Sequence, residues 1–159
     1  MAETHSRFYE EFEVGTRYPT TSRLITLEDH LAFCELVRYK VPLFLDAEVG
    51  NESPYKSIIC PSHLIMSFST AMTGALFSES VLALLAIENV QFLSPVRPGD
   101  TIATDVEVID KRLSTDTSRG VVTFRDRVRN QHNVLVFQND KIALIKRQPV
   151  RTPEMGRHQ

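Results

Sequence analysis

The chain has 159 residues, 24% of which are charged, and its formal net charge is −2. This length suffices for one domain with a hydrophobic core. Because the charges nearly balance, the composition excludes a general attraction to nucleic acid or to an acidic membrane, and we expect neither partner.

The cysteines and the two ends of the chain give further expectations. Cys34 and Cys60 show neither a metal-ligand spacing nor a disulfide framework, so we expect no bound metal. The N-terminal sequence MAETHSRFYEEFE is polar and acidic, unlike a secretion signal, which predicts a cytoplasmic protein. We interpret residues 1–147 as a single domain and the polar, proline-containing residues 148–159 as a flexible C-terminal tail.

The first predicted elements are a strand and a helix. Residues 17–25 alternate loosely between apolar and polar side chains, as a strand does. Thr26, closely followed by two acids, is typical of a helix start, and an amphipathic pattern continues to about Val37. Residues 39–55 then contain two prolines, a glycine and an Asn-Glu-Ser cluster, which predicts a long irregular connection. Loops of this length inside a domain are usually functional.

Residues 61–77, PSHLIMSFSTAMTGALF, form the central predicted helix. Their apolar side chains recur at helical spacing, and no charged residue occurs between Lys56 and Glu79. A surface helix carries charges on its outer face, so we expect this one to be covered nearly all round. Small residues on one side, Gly74 among them, predict close approach there, and a larger side chain at position 74 should overpack.

Four extended segments joined by short turns follow this helix. We predict strands at residues 81–92, 101–110, 120–129 and 134–145. Asp126 is in phase with the apolar side chains of its strand, where a buried carboxylate would be costly. We interpret this position as a bulge or an exposed strand end.

Two further polar features occur in these strands. The sequence Gln-Asn-Asp at residues 138–140 spoils the alternation of the last strand and predicts a bulge there. Arg125, Arg127 and Arg129 share one strand face. They could contact the phosphates of coenzyme A or of an acyl-carrier phosphopantetheine, or they could form an ordinary solvated face. The sequence leaves both interpretations open.

The order of these elements predicts an architecture. A strand, a helix, a loop and a buried helix precede four antiparallel strands, so we expect an α+β domain with a curved antiparallel sheet wrapped around one long buried helix. Such a sheet leaves an edge and an apolar strand face uncovered, which predicts at least a dimer.

Several stretches resemble the MaoC-like acyl-CoA hydratase/dehydratase family. FEVGTRY followed by RLITLEDHLAFCEL is similar to that family's opening strand and overhanging helix. ENVQFLSPVRPGDTIATDVEVIDKR and SRGVVTFRDRVRNQ are similar to its characteristic strand pair, and the resemblance extends from about Phe8 to Arg147. It implies the hot-dog fold, a short overhanging helix and a pocket for an acyl thioester. Coenzyme A or phosphopantetheine would arrive on the substrate, and no other cofactor is implied.

The hydratases of this family carry an Asp (or Asn)-x-Asn-Pro-x-His motif before the buried helix. Its Asp and His activate water for addition to an α,β-unsaturated acyl thioester, or catalyse the reverse elimination. The matching segment here is residues 39–46, YKVPLFLD. Pro42 and Asp46 fit, but Tyr39 stands in the place of the first acid and Phe44 in the place of the histidine. The resemblance therefore implies the fold and the pocket without the usual acid/base pair.

The catalytic candidates are His63, Asp46 and Tyr39. His63 lies in the first turn of the buried helix, where an imidazole could act as a base or polarise a carbonyl; a packed, hydrogen-bonded histidine is the alternative. Tyr39 is the phenol of the loop, and Asp46 and Glu48 are its carboxylates; either acid could replace the lost base, although solvated loop acids are commoner. Backbone N–H groups at the helix start suit a thioester oxygen that gains negative charge. The substrate-binding candidates are Ser62, Phe44, Pro42 and Leu64.

Three functional hypotheses follow. In the first, a family member acts on or binds an enoyl or hydroxyacyl thioester; its chemistry either uses a non-standard group, which would make it a hydro-lyase, or has lost hydration. In the second, an acyl-thioester hydrolase on the same fold uses a loop carboxylate such as Asp46 or Glu48. In the third, a non-catalytic acyl-binding or structural subunit pairs with an intact homologue. The first two predict a homodimer, and the third predicts a heterodimer.

Overall fold

The structure is a computed structural model and describes residues 5–149. Its elements in chain order are β1 Arg17–Pro19, β2 Arg23–Leu24, α1 Leu27–Leu36, α2 Pro42–Leu45, α3 Ala47–Glu52, α4 Ser62–Met72, β3 Val81–Phe92, β4 Thr101–Leu113, β5 Arg119–Asn130 and β6 Leu135–Lys146. Single 3₁₀ turns occur at Tyr9–Glu11 and Gly74–Leu76. Most of the predicted C-terminal tail, residues 150–159, lies outside the described residues.

The six strands form one antiparallel sheet in the order β1-β4-β5-β6-β3, and β2 also pairs with β4. Alternate side chains of a strand point to opposite faces, so Ile102, Val106 and Val108 of β4 lie together on the inner face and are fully buried. The α4 helix packs against this face through Leu64 and Ile65. The predicted α+β architecture, a curved sheet around one helix, is confirmed.

The start of α1 follows the sequence signal closely. Thr26 is the N-cap, and its hydroxyl accepts a hydrogen bond from the backbone N–H of Asp29 at 3.0 Å. The Asp29 carboxylate accepts in return from the Thr26 N–H at 3.3 Å, which completes a capping box. The helix ends before Val37, as predicted.

The segment 39–55 is more regular than predicted, because it contains α2 and α3. Pro42 occupies the first turn of α2, where its missing N–H costs no hydrogen bond. The Asp46 carboxylate caps α3 by accepting from the N–H groups of Glu48 at 2.9 Å and Val49 at 3.3 Å. The prediction of an irregular connection is therefore wrong, since both short helices have local start signals.

The α4 helix is buried on one side only. His63, Ser67 and Ala71, spaced four residues apart, are exposed within the chain, which corrects the expectation of cover all round. A Cβ added at Gly74 meets no atom within 4 Å, so the predicted overpacking at this position is also wrong for the single chain. His63, Ser67 and Ala71 therefore form an exposed stripe without acidic or basic Asp, Glu, Lys or Arg side chains, which we call the uncharged stripe.

The apolar core consists of two clusters. The first comprises Tyr9, Phe12, Leu76, Val106, Val108, Val122, Phe124, Ala143 and Ile145. The second comprises Ile25, Cys60, Leu64, Ile65, Val96, Ile102, Val128, Val136 and Phe137. The N-terminal segment belongs to the first cluster: Phe12 is fully buried, and a Cβ at Gly120 would overlap the ring of Tyr9. Only glycine at position 120 leaves room for this ring.

The bulge predicted in β6 occurs instead in β3, the neighbouring strand at the edge of the sheet. Residues 138–140 of β6 pair without interruption with β5, whereas the register with β3 shifts between Glu88 and Gln91. Asn89 in this shift has a left-handed backbone (φ 50°), and its side-chain amide donates to the carboxylate of Asp140 at 2.7 Å. The extra residue belongs to β3, and the polar residues of β6 hold it in place.

Candidate functional site

A cavity of about 280 Å³ opens beside the start of α4, and we call it the α4 cavity. Its lining comes from the approach to α4, the first turns of α4, the end of β3 with the following loop, and the start of β6. The lining residues are Tyr55, Ile59, Cys60, Ser62, Ile65, Phe92, Leu93, Ser94, Pro95, Val96 and Val136. Hydroxyl groups and apolar walls therefore meet at a helix N-terminus.

The first turn of α4 has free donors. The N-cap residue is Pro61, and no side chain caps the helix. The first N–H groups of a helix have no partner within it, so those of Ser62 and His63 remain available to a ligand oxygen. Ser62 lines the α4 cavity, while the His63 side chain is exposed. The arrangement can bind a carbonyl oxygen and stabilise negative charge on it.

The motif segment lies in a different place. Tyr39 and Phe44 pack against each other, with ring centroids 5.0 Å apart and an interplanar angle of 61°. Tyr39 lines a second cavity of about 350 Å³ between α1 and α2, shared with Leu31 and Cys34 among others. Within the described chain, neither Tyr39 nor Phe44 lines the α4 cavity.

A histidine that the sequence analysis left aside anchors the motif segment. His30 is fully buried on α1, and its Nε2 donates to the carbonyl oxygen of Phe44 at 2.6 Å. Its Nδ1 is buried without a hydrogen-bond partner in the described chain. His30 and Cys34 are four residues apart and are the buried positions of α1, so helical spacing alone could have placed His30 inward.

The remaining candidates are distributed as follows. The Asp46 carboxylate caps α3 and is therefore already hydrogen-bonded. Of the two loop carboxylates in the hydrolase hypothesis, this leaves Glu48, whose side chain is exposed. Leu64 is 1% exposed and packs in the second core cluster. Pro42 is exposed at the start of α2. Ser62 is thus the predicted residue that the structure brings to the α4 cavity, and His63 is its exposed neighbour.

Cys60 lines the α4 cavity but is not poised as a nucleophile. Burial raises the pKa of its thiol to about 12, with smaller contributions from Asp100 and Cys34. The reactive form of cysteine is the thiolate, and it is scarce at neutral pH when the pKa is this high. Cys60 therefore contributes a small, weakly polar wall.

A layer of buried polar side chains crosses the core between α4 and the sheet, and we call it the polar layer. Its members are Ser69, Thr73, Thr104, Asp126, Asn139 and Lys141. The Nζ of Lys141 lies 2.7 Å from Oδ2 of Asp126 and donates to the hydroxyl of Thr73 at 2.8 Å. Ser69 donates to the same carboxylate at 3.4 Å and accepts from Thr104 at 3.2 Å. The polar layer lies between residues of the two apolar clusters on β4, β5 and β6.

The interpretation of Asp126 as a bulge or an exposed end is wrong. Its side chain is fully buried, and regular pairing places it opposite Val106 and Asn139. Burial raises the pKa of the Asp126 carboxyl, and the ammonium group of Lys141 opposes this effect. Asp126 Oδ1 and both amide atoms of Asn139 have no hydrogen-bond partner among the described residues.

Two of the three arginines that share the outer face of β5 form ion pairs. Arg125 donates to the carboxylate of Asp140 at 2.7 and 2.8 Å, and Arg127 donates to Glu107 at 2.6 Å. These bonds hold the pKa values of both carboxyls below their usual range. Arg129 donates to a backbone carbonyl at 3.0 Å. An ion-paired strand face explains this pattern without a phosphate.

Among residues 5–149, no group of three or more His, Cys, Asp or Glu side chains is placed to hold a metal ion. In the same range, no helix has the length and apolar character needed to cross a membrane.

The sheet order, the helix α4 packed on the inner face of the sheet and the short preceding helix α1 define a hot-dog-fold protein. Residues 14–130 match the model of the MaoC like domain. This match covers more than half of the chain, and the chain therefore belongs to the MaoC-like family of hydratases and dehydratases.

Individual relatives agree with this assignment. The chain is 26% identical over 140 residues to the uncharacterised protein YdeM of Bacillus subtilis, covering 87% of this chain and 98% of YdeM. It is 35% identical over 79 residues to the 3-hydroxyacyl-acyl-carrier-protein dehydratase FabZ of Caulobacter vibrioides, covering 44% of this chain and about half (49%) of FabZ. It is also similar to a monoamine oxidase regulatory protein structure from Archaeoglobus fulgidus, with TM-score 0.84, 29% identity and coverage of 94% and 100%.

Proposed function

We propose that this protein binds an enoyl or hydroxyacyl thioester of coenzyme A or of an acyl carrier in the α4 cavity, without the usual hydration chemistry. One observation supports the proposal: Tyr39 and Phe44, which stand where the family resemblance implies an acid and an imidazole, pack their rings together. A phenyl ring has no proton to transfer, and general acid–base catalysis contributes about 10²–10⁴-fold to such reactions.

The α4 cavity provides what thioester binding requires. The uncapped start of α4 supplies donors for the thioester oxygen, and Ser62 adds a hydroxyl at the same place. Ile65, Phe92 and Val136 supply apolar walls for the acyl portion. The similarity to FabZ, whose name specifies a 3-hydroxyacyl substrate, supports this class of ligand.

The test combines binding and turnover with crotonyl-CoA. We expect calorimetry to detect binding, and the absorbance of the enoyl thioester to show at most weak hydration. Tyr39→Asp combined with Phe44→His restores the proton-transfer pair of the motif outside the α4 cavity of the same chain, so a rise in rate would show that the bound thioester also reaches the motif segment. Tyr39→Asn combined with Phe44→Gln is the matched control: it breaks the same aromatic contact but adds no acid or base. A wild-type rate equal to that of an ordinary hydratase would refute the proposal.

Any residual hydration is assigned to His63. Its side chain is exposed in the first turn of α4, next to Ser62 of the α4 cavity, so replacing it should leave the fold intact. We expect His63→Ala to abolish residual turnover with an unchanged melting temperature. Survival of that turnover in the variant would exclude this role.

A second candidate function is a non-catalytic subunit, which the same aromatic contact favours. A partner would cover the edge strand β3, where Leu82, Leu84 and Leu85 are each about half exposed (45%, 48% and 52%), and the uncharged stripe of α4. We expect at least a dimer by light scattering at micromolar concentration, in the cytoplasm. A monomeric mass would exclude this assembly; a complex only with a second hot-dog protein would favour the subunit role.

A further inference from the structure

Tyr55 lies in the α4 cavity, apart from the motif segment. Its side chain is 39% exposed, and its hydroxyl makes no hydrogen bond within the described chain. Tyr39, the tyrosine at a motif position, lines the second cavity instead. Within the described chain, the tyrosine that lines the α4 cavity therefore comes from the segment before this helix, residues 53–60, and not from residues 39–46.

The backbone of Tyr55 is fixed on both sides. Its N–H donates to the hydroxyl of Ser53 at 3.2 Å. Its carbonyl oxygen accepts from the guanidinium of Arg97 at 3.0 Å, and the same guanidinium donates to the hydroxyl of Ser57 at 2.7 Å. One arginine from the loop after β3 thus holds two points of the segment. A ligand-binding side chain is most effective when a supporting shell fixes its position in this way.

The rest of the segment is equally constrained. A Cβ at Gly50 would overlap the backbone of Ser57 and Ile58, so α3 packs directly against the segment. At its end, the N–H of Cys60 donates to the carbonyl oxygen of Val96 at 2.7 Å. Hydrogen bonds and the packing of α3 therefore hold the backbone of the segment in place, while the phenol of Tyr55 makes no hydrogen bond among the described residues.

We propose that Tyr55 is a ligand-binding residue whose hydroxyl donates a hydrogen bond to the carbonyl oxygen of the bound thioester, with Arg97 as its positioning residue. This inference rests on the proposed function of the α4 cavity. The phenol and the N–H groups of the first α4 turn would then share one oxygen, an arrangement that stabilises partial negative charge on it. The donor at this site would be a tyrosine from the segment before α4, in place of any side chain of the motif.

The experiment measures the Kd of crotonyl-CoA by calorimetry for Tyr55→Phe, with Tyr39→Phe as the matched control. Each variant loses one phenolic hydroxyl, but only Tyr55 lines the α4 cavity. A hydrogen bond between neutral groups corresponds to a change of about 2-fold to 12-fold, so we expect the Kd to rise in this range for Tyr55→Phe. It should stay unchanged for Tyr39→Phe, and both melting temperatures should match the wild type.

Arg97→Met tests the positioning role. We expect Arg97→Met alone to weaken binding, because it displaces the Tyr55 hydroxyl from the thioester oxygen. In the Tyr55→Phe background this hydroxyl is already absent, so Arg97→Met should add no further loss of affinity. Additive losses would refute the role of Arg97. Tight wild-type binding that is insensitive to Tyr55→Phe would overturn the assignment of Tyr55 alone. Absence of wild-type binding would overturn the proposed function and this inference together.

Discussion

The buried pair in the polar layer gives the sharpest stability prediction. Lys141 Nζ lies 2.7 Å from Asp126 Oδ2, and the two side chains are 3% and 0% exposed. Lys141→Met removes the cation and leaves the carboxylate with the distant hydroxyl of Ser69 as its donor. Breaking a buried pair from one side costs about 3–5 kcal/mol. For a chain of this length each kcal/mol lowers the melting temperature by about 2–4 °C, so we expect a loss of about 6–20 °C.

Two controls separate the charge effect from packing. The double variant Lys141→Met with Asp126→Leu removes both charges and should be near wild type or more stable, since apolar replacement of a buried pair is often neutral or favourable. Burial raises the pKa of Asp126, so protonation relieves the unpaired carboxylate as the pH falls. The deficit of Lys141→Met should therefore narrow on acidification. A melting temperature within about 2 °C of wild type at pH 7 would refute this reasoning.

Three further changes have defined outcomes. The hydrogen bonds from Arg125 hold the pKa of Asp140 below its usual value, so this pair contributes its full stability above the unfolded-state pKa. We expect Asp140→Asn to lower the melting temperature at pH 7, with the difference shrinking as the pH falls through the lowered folded-state pKa. Because the pKa of the Cys60 thiol is about 12, Ellman's reagent at pH 8 should not label it until denaturant is added. Gly120→Ala forces a Cβ into the Tyr9 ring and should cost about 1–3 kcal/mol in a denaturant titration, whereas Gly74→Ala should cost no overpacking energy.

The sequence predicts the elements well where the signal is local. The capping residue Thr26 places the start of α1, and the extended run 81–92 coincides with β3. The uncharged stretch 61–77 correctly locates the central helix, although the helix ends at Met72 and a 3₁₀ turn follows. These features depend on side chains within a few positions of one another, and the family resemblance then supplies the order of the strands.

The remaining features depend on distant residues. Asp126 can be buried because Lys141, fifteen positions later, reaches it from the adjacent strand, and no pattern within β5 contains that partner. In the same way, Tyr55 lines the α4 cavity, and the arginine that binds its carbonyl oxygen, Arg97, lies far away in the sequence. The motif comparison predicts substitutions at Tyr39 and Phe44, and this remains a prediction. It cannot show that these two rings contact each other, or that Tyr39 lines a separate cavity.

The packing of Tyr9 on Gly120 bears on where the folding unit begins. The family match starts at residue 14, yet Phe12 is fully buried and Tyr9 is 8% exposed in the first core cluster. The Nζ of Lys111 also donates to the carbonyl oxygens of Tyr9 and Phe12 at 3.1 and 2.7 Å. A truncated chain that begins at the family boundary would lose two core side chains and leave a lysine of β4 without its acceptors. Expression of a minimal domain should therefore retain the N-terminal segment from about residue 5 onward.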